Sequence, residues 1–339
     1  MRIGTKDIGK GRTYIIADVG SNFNGSLELA KEYVHAGKEM GLDAVKFQSY
    51  RAATLLNPNT PDGSRWAAYD VVKHYELPRE WHWELYQYAE RLGIEFFTTP
   101  FDMDILDDLA RIGVRAYKIA SGDLTFTLLL RKIGALGKPV ILSTGMAYPK
   151  EIRSAIHTLR QGGAPDIALL HCVSNYPPHY EQVNLRAMKG MAEAFGLPVG
   201  LSDHTPGMAT VLGAISLGAS IIEKHITIDK GLGTPDAPFA MTIAEFGIMV
   251  NEVRNLEKAL GDGMKGPAED ELTERTCARR GIYARADLKA GAVLGLEDVK
   301  FVRPENGVAA SEWEHFQGKP LKKAVGKDQS LHKEDVHEP

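Results

Sequence analysis

Two histidines, His204 in SDHT and His225 in EKHIT, each close an apolar, β-branched run. Imidazoles at neighbouring strand ends can hold one metal ion between them. Two nitrogen donors then leave positions open for water and a substrate oxygen, as Lewis-acid chemistry requires. The alternative is a pair of buried, hydrogen-bonded histidines with no ligand. Lys46 and Lys118 lie inside apolar runs, flanked by Val45, Phe47, Tyr117 and Ile119. An unpaired ammonium is costly to bury in such surroundings, so each lysine is expected to meet an anion. Hydroxyls gather at the ends of similar runs: Thr99, Ser121, Ser143, Thr144 and Ser202. Lysines, hydroxyls and strand-end amides together suit a small, highly charged anion; a Schiff base on a lysine is the competing chemistry. The acidic candidates are Asp18 in IADVG, Asp123 in ASGD and Asp236 in GTPDAP. A carboxylate there orients water or holds sugar hydroxyls. His171 and Cys172 are a poor nucleophile pair, because neighbours in a strand point to opposite faces.

These residues need elements that bring them together. Short strand-like runs at 13–18, 44–48, 95–99, 116–121, 139–144, 167–172, 198–202 and 221–225 alternate with helical periodicity, as in SLELAKEYVHAGKEMG. Several helical stretches stop at glycine. Eight such repeats predict an α/β fold, a parallel (β/α)8 TIM barrel, in which every strand C-terminus opens on one face. An open doubly wound sheet is the alternative, but VGSNFNG after the first strand only loosely imitates its glycine-rich turn. The segment 51–80 follows the second strand on the active face and is expected to be a substrate loop or lid. Beyond residue 261 the pattern changes. We read 1–261 as the catalytic barrel, 262–278 as a linker and 279–339 as a small β-rich domain.

The bulk properties narrow the partners. A formal charge of −4, with no long basic run, argues against nucleic acid. Two cysteines imply no disulfide framework, and the N-terminus has no apolar leader. No apolar run approaches the roughly 20 residues of a membrane span. A cytoplasmic enzyme without membrane insertion is the expectation.

The motifs IADVGSNFNG, VKFQ, FFTTPFD, YKIASGD, ILSTGM, LLHCVSNYPP, GLSDHT and IEKHITID, in this order, resemble the sialic acid synthase family. That family includes N-acetylneuraminate, legionaminate and pseudaminate synthases and spore-coat polysaccharide relatives. The RPENG…GK tail resembles its antifreeze-like (SAF) domain. The resemblance implies a transferase condensing phosphoenolpyruvate with an open-chain N-acyl sugar. C3 of phosphoenolpyruvate attacks the aldehyde, water adds at C2, and phosphate leaves by C–O cleavage. It implies a divalent ion, manganese or magnesium, on His204 and His225. It assigns phosphoenolpyruvate to Lys46, Lys118, Thr99, Ser121 and Ser143, with Ser174 beside them. Gln48, Tyr176 and Asp236 would line the sugar or metal side. It also implies a homodimer with swapped C-terminal domains, in which Arg303 reaches the N-acyl group. The competing readings are another phosphoenolpyruvate-dependent 3-deoxy-sugar acid synthase, a barrel aldolase, or an inactive carbohydrate-binding homologue.

The chain departs from the family where A-E-x-G-x-N-H would stand, with Asp18 and Phe23, and where S-G-E would stand, with Asp123. One methylene fewer withdraws a carboxylate by about 1.5 Å, and a misplacement of about 1 Å can cost on the order of 100-fold in rate. Phe23 is expected to add an apolar wall. The acceptor is therefore expected to be more deoxygenated or more heavily substituted than N-acetylmannosamine.

Overall fold

The computed structural model describes residues 1–9 and 11–337. It divides into two compact units, Met1–Gly261 and Asp262–Pro339.

In the first unit the apolar runs form eight parallel strands: β1 (Tyr14–Asp18), β2 (Ala44–Ser49), β3 (Glu95–Pro100), β4 (Tyr117–Ile119), β5 (Val140–Ser143), β6 (Ile167–Cys172), β7 (Val199–Asp203) and β8 (Ile221–Thr227). Their hydrogen-bonded order is β3-β2-β1-β8-β7-β6-β5-β4. The two end strands, β3 and β4, pack side by side, so the sheet is a nearly closed barrel. One helix follows each strand: α1 (Leu27–Glu39), α2 (Arg79–Leu92), α3 (Asp104–Ile112), α4 (Thr127–Ala135), α5 (Pro149–Gly162), α6 (Ala187–Phe195), α7 (Ala209–Ser216) and α8 (Ile243–Leu260). Local chemistry sets their ends. The Ser26 hydroxyl accepts from the Leu29 amide at the start of α1, and Thr242 and Glu245 make a reciprocal cap on α8. Helix α2 stops at Gly93, whose φ of 69° is left-handed.

Strand alternation sorts the side chains into two layers. Ile15, Ala17, Val45, Phe47, Leu142, Leu201 and Ile222 face outward into the main core beneath the helices. Tyr14, Ile16, Ala44, Phe97, Ile141, Leu170 and Ile221 face inward and fill the lower barrel, with Ile3 and Ile8 of the N-terminal segment plugging its base. The lower barrel is thus a packed core, and only the layer above it can do chemistry.

Between β2 and α2 the chain makes a long excursion with short helices at Ala52–Leu55 and Ala67–His74. Thr54 Oγ1 ties it to the barrel by donating to Asp102 Oδ2 at 3.2 Å, and within it the Tyr50 hydroxyl donates to the Tyr75 carbonyl at 3.0 Å. The Ala52 amide also donates to Glu76 at 2.7 Å.

The second unit pairs β9 (Gly281–Ala284) with β10 (Val299–Val302) antiparallel and closes on its own core of Ile282, Leu294, Phe316 and Leu331. Within the stretch read as linker, Glu271–Ala278 is helical and buries none of its residues. Cys172 and Cys277 are both free thiols. Among the described residues no helix is long and apolar enough to cross a membrane.

Candidate active site

The inward residues one layer above the core are Asp18, Lys46, Gln48, Thr99, Lys118, Ser143, Cys172, Ser202, Glu223 and His225. With Ser121, Ser174, Tyr176 and His204 from the loops just beyond, they line a cavity of about 350 Å³ at the strand C-termini. All but Cys172 and Glu223 are site residues expected from the sequence.

Asp18 is the hub of the mouth. Its Oδ2 accepts from Lys46 Nζ at 2.6 Å and Gln48 Nε2 at 3.2 Å, and stands 3.4 Å from His225 Nε2. Burial pushes the Asp18 carboxyl up, but the Lys46 ammonium and His225 outweigh it and hold it well below the usual range. Lys46 also loses by burial, yet Asp18 and Glu223 keep it above the ordinary lysine value. Lys118 is different. It donates to Ser143 Oγ at 2.7 Å and to the Ile119 carbonyl at 3.0 Å. Burial lowers its pKa, and the Glu223 carboxylate only partly compensates. An anion at Lys118 would therefore complete its charge pairing.

Glu223 was missed in the sequence. It is 4% exposed, lies 3.9 Å from Lys46 Nζ and 3.7 Å from Lys118 Nζ, and accepts from Ser202 Oγ at 3.0 Å. Its Oε2 has no hydrogen-bond partner. It thus sets the spacing of the two ammonium groups. The signal was present: Glu223 is two residues before His225, hence on the same face of β8.

Lys224, between them, points outward. Its Nζ is 2.5 Å from Asp203 Oδ2 and 2.6 Å from the Thr205 carbonyl, fully buried. Asp203 also accepts from the Thr205 amide and from the Thr205 and Thr210 hydroxyls. This ion pair joins the residue before His204 to the residue before His225, so it fixes the backbone that carries both imidazoles.

The two rings are 5.4 Å apart, centroid to centroid. Tyr176 meets His204 edge-on at 4.4 Å, and Phe239, also missed in the sequence, lies 5.2 Å from His225. Burial holds the His204 imidazole well below its ordinary pKa, hence neutral and able to donate a lone pair. His225 Nδ1 is buried with no hydrogen-bond partner. A neutral His204 beside the unpartnered His225 Nδ1 fits a divalent ion. Among the described residues no cluster of three or more His, Cys, Asp or Glu could hold one. The fit is therefore to two protein donors, with the other positions left to water and substrate oxygen.

Other expected residues sit less centrally. Asp236 borders an adjoining cavity and accepts from the Ser21 amide and hydroxyl, each at 2.7 Å. Gly20 lets this carboxylate approach: its φ is +52°, and a Cβ there would collide with Asp236. Asp123 stands off the cavity lining in the turn Ser121–Asp123, its Oδ2 buried and unpartnered. Arg303 is exposed in the second unit. Phe23 corrects an expectation. It is 1% exposed and packs edge-on against Trp81 of α2, so it belongs to the core beneath the helices and forms no wall of the site. Cys172 faces the cavity, 4.0 Å from His204 Nδ1, while His171 turns away and bonds the Val183 carbonyl.

The chain is similar to known proteins along nearly its whole length. A SAF-domain model matches residues 279–337. The N,N'-diacetyllegionaminic acid synthase of Legionella pneumophila is 42% identical, over 94% of this chain and 93% of that protein. The pseudaminic acid synthase of Campylobacter jejuni is 35% identical over 99% of each chain. Among solved structures, the sialic acid synthetase of Leptospira borgpetersenii, a citrate complex, superposes with a TM-score of 0.74 and 33% identity. That match covers 81% of this chain and 94% of that one. The NeuB family model matches residues 33–265, which spans the lysines, carboxylates and histidines of the mouth from Lys46 to Asp236, and the chain belongs to the NeuB family.

Proposed function

We propose that the protein is a nonulosonic acid synthase that condenses phosphoenolpyruvate with the open-chain form of an N-acyl amino sugar and releases phosphate. One observation carries the reading: two buried lysines spaced by Glu223 share a mouth with the paired imidazoles of His204 and His225, 5.4 Å apart. The names of its relatives, legionaminic, pseudaminic and sialic acid synthases, support it.

In this reading Lys46 and Lys118, with Thr99, Ser121, Ser143, Ser174 and Ser202, hold the phosphate and carboxylate of phosphoenolpyruvate. Charge-assisted bonds in a buried site fix the orientation of its C3. Gln48, Tyr176 and Asp236 orient the sugar so that its aldehyde carbon meets C3. The new C–C bond forms as the carbonyl electron pair moves to oxygen. Water then adds at C2, and phosphate leaves with its bridging oxygen. Asp18 and Glu223 accept hydrogen bonds from the groups that hold both substrates and keep the lysines charged as phosphate develops. His204 and His225 would hold manganese or magnesium, which when bound polarises the aldehyde oxygen. We also propose cytoplasmic residence and a homodimer in which the C-terminal domain, with Arg303, serves the barrel of a second copy.

The test is phosphate release from phosphoenolpyruvate with manganese and a panel of N-acyl hexoses. Sugar-dependent release is expected. No phosphate above the no-sugar control with every sugar would overturn the proposal. Light scattering of the full chain checks the dimer.

A further inference from the structure

Behind the mouth, on the face of the strands turned towards α2, Ser49 of β2, Thr98 of β3 and His82 of α2 meet. None is more than 3% exposed. Ser49 Oγ is within hydrogen-bond distance of His82 Nε2 and lies 2.5 Å from Thr98 Oγ1. His82 Nδ1 lies 3.1 Å from the Arg79 carbonyl. A carbonyl only accepts, so Nδ1 carries the ring proton and Nε2 is left as an acceptor. Burial lowers the His82 pKa, which keeps the ring neutral. The Ser49 hydroxyl must then donate to Nε2, and the Thr98 hydroxyl must donate to Ser49. The relay runs in one direction, and each of its protons has an acceptor.

We infer that His82 is a positioning residue for the catalytic mouth, acting through Ser49 and Thr98 to hold Gln48 and Thr99 in place. The inference rests on the synthase reading for what Gln48 and Thr99 bind. Ser49 follows Gln48 and Thr98 precedes Thr99, so each points away from the mouth as its neighbour points in. Gln48 and Thr99 are partners in register across β2 and β3. In the mouth Gln48 donates to Asp18 at 3.2 Å, and Thr99 Oγ1 lies 3.4 Å from Lys46 Nζ. The Ser49 carbonyl also accepts from the Phe101 amide at 3.0 Å, and Phe101 lines the cavity. Ser49 ends β2 and His82 stands near the start of α2, so their bond also clasps the two ends of the excursion between them. A buried polar network holds its members rigidly only when it is complete. Without the imidazole, the Ser49 hydroxyl is left buried with no acceptor on α2, and the two strand ends are free to shift against each other.

The experiment measures kcat and KM for phosphoenolpyruvate and for the N-acyl hexose turned over fastest, in the full-length protein, in His82→Phe and in His82→Gln. Phenylalanine fills the space and accepts no hydrogen bond; glutamine restores an acceptor. A misplacement of about 1 Å costs on the order of 100-fold, so a partial shift in His82→Phe is expected to raise KM for both substrates by about tenfold. His82→Gln is expected to return to within about threefold of the parent. Loss of folded protein lowers kcat and leaves KM alone, so the rise in KM separates positioning from stability. Unchanged KM for both substrates in His82→Phe, or a His82→Gln no better than His82→Phe, overturns the inference and leaves the synthase reading standing. Should His82→Phe not fold, Ser49→Ala breaks both links of the relay, and the same rise in KM, or its absence, decides. If no sugar yields phosphate, the synthase reading falls and calorimetry with phosphoenolpyruvate decides the rest. Binding about tenfold weaker in His82→Phe than in the parent then sustains the positioning role; equal binding, or none to the parent, overturns that as well.

Discussion

Replacing Asp123 with asparagine is expected to raise stability at alkaline pH and to leave it unchanged in acid. The Asp123 Oδ2 is buried without a hydrogen-bond partner. Burial pushes this carboxyl up to about 6 against the opposing pull of Lys118. In the unfolded chain an aspartate titrates near about 3.9. Between these values the folded chain keeps a proton that the unfolded chain has lost. Stability therefore falls as pH rises through the interval, and the penalty is complete above about 6. A displacement of about two pH units corresponds to ~3 kcal/mol. The side chain is partly open to solvent, which screens the charge, so about 1.5 kcal/mol is the expected net penalty. Asp123→Asn removes the titration. Urea unfolding followed by tryptophan fluorescence should find the variant about 1.5 kcal/mol more stable than the parent at pH 8. The difference should shrink towards zero by pH 4. An equal difference at both pH values, or a variant less stable at pH 8, would refute the argument from burial.

His204→Ala and His225→Ala should each abolish manganese-dependent turnover and manganese binding by calorimetry, with an unchanged far-UV spectrum; undiminished activity in either removes it from the ligand set. Lys224→Met strands the buried Asp203 carboxylate, which keeps its three hydroxyl and amide donors. A loss of ~3 kcal/mol is expected, at the low end for a broken buried pair. The double variant Asp203→Asn/Lys224→Met should recover most of it by the same urea measurement. Gly20→Ala forces a Cβ onto the Asp236 carboxylate and to within 3.1 Å of His225, at a left-handed φ. It should cost ~1–2 kcal/mol of stability and lower kcat/KM for the sugar more than for phosphoenolpyruvate.

Most of the mouth was legible in the sequence for a physical reason. In a parallel barrel every strand ends on the same face, so a polar residue closing an apolar run has one place to go. Lys46, Thr99, Lys118, Ser143 and His225 all follow this rule. Glu223 lies inside its strand, where a polar terminus gives no signal, although the two-residue period carries it inward with His225. The Lys224–Asp203 pair needs two adjacent strands in register, which alternation alone does not supply. Phe23 was misplaced because it lies in the turn after β1, where no period says which way a side chain points. The apolar wall of the cavity beside the mouth joins Leu55 to Val71, Val72 and Tyr75 at the end of the helix Ala67–His74, with irregular chain between the two parts. No repeat brings them together; only the fold of the excursion does.

That excursion has a consequence for how the protein can change. On β8, Glu223, Lys224 and His225 are consecutive and face alternately into the mouth and into the core. A slip of one residue there would exchange the two faces and destroy the site. The β2–α2 segment sits outside the ladder and meets the barrel through hydrogen bonds of Arg51 and Thr54 to Asp102 and of Tyr75 to the Gly233 carbonyl. The reacting groups of the mouth and the apolar wall beside it are thus on separable stretches of chain. Grafting 51–78 between relatives would exchange that wall and leave the lysines and histidines of the mouth in place, so the surroundings of the site can vary in evolution without re-inventing its centre.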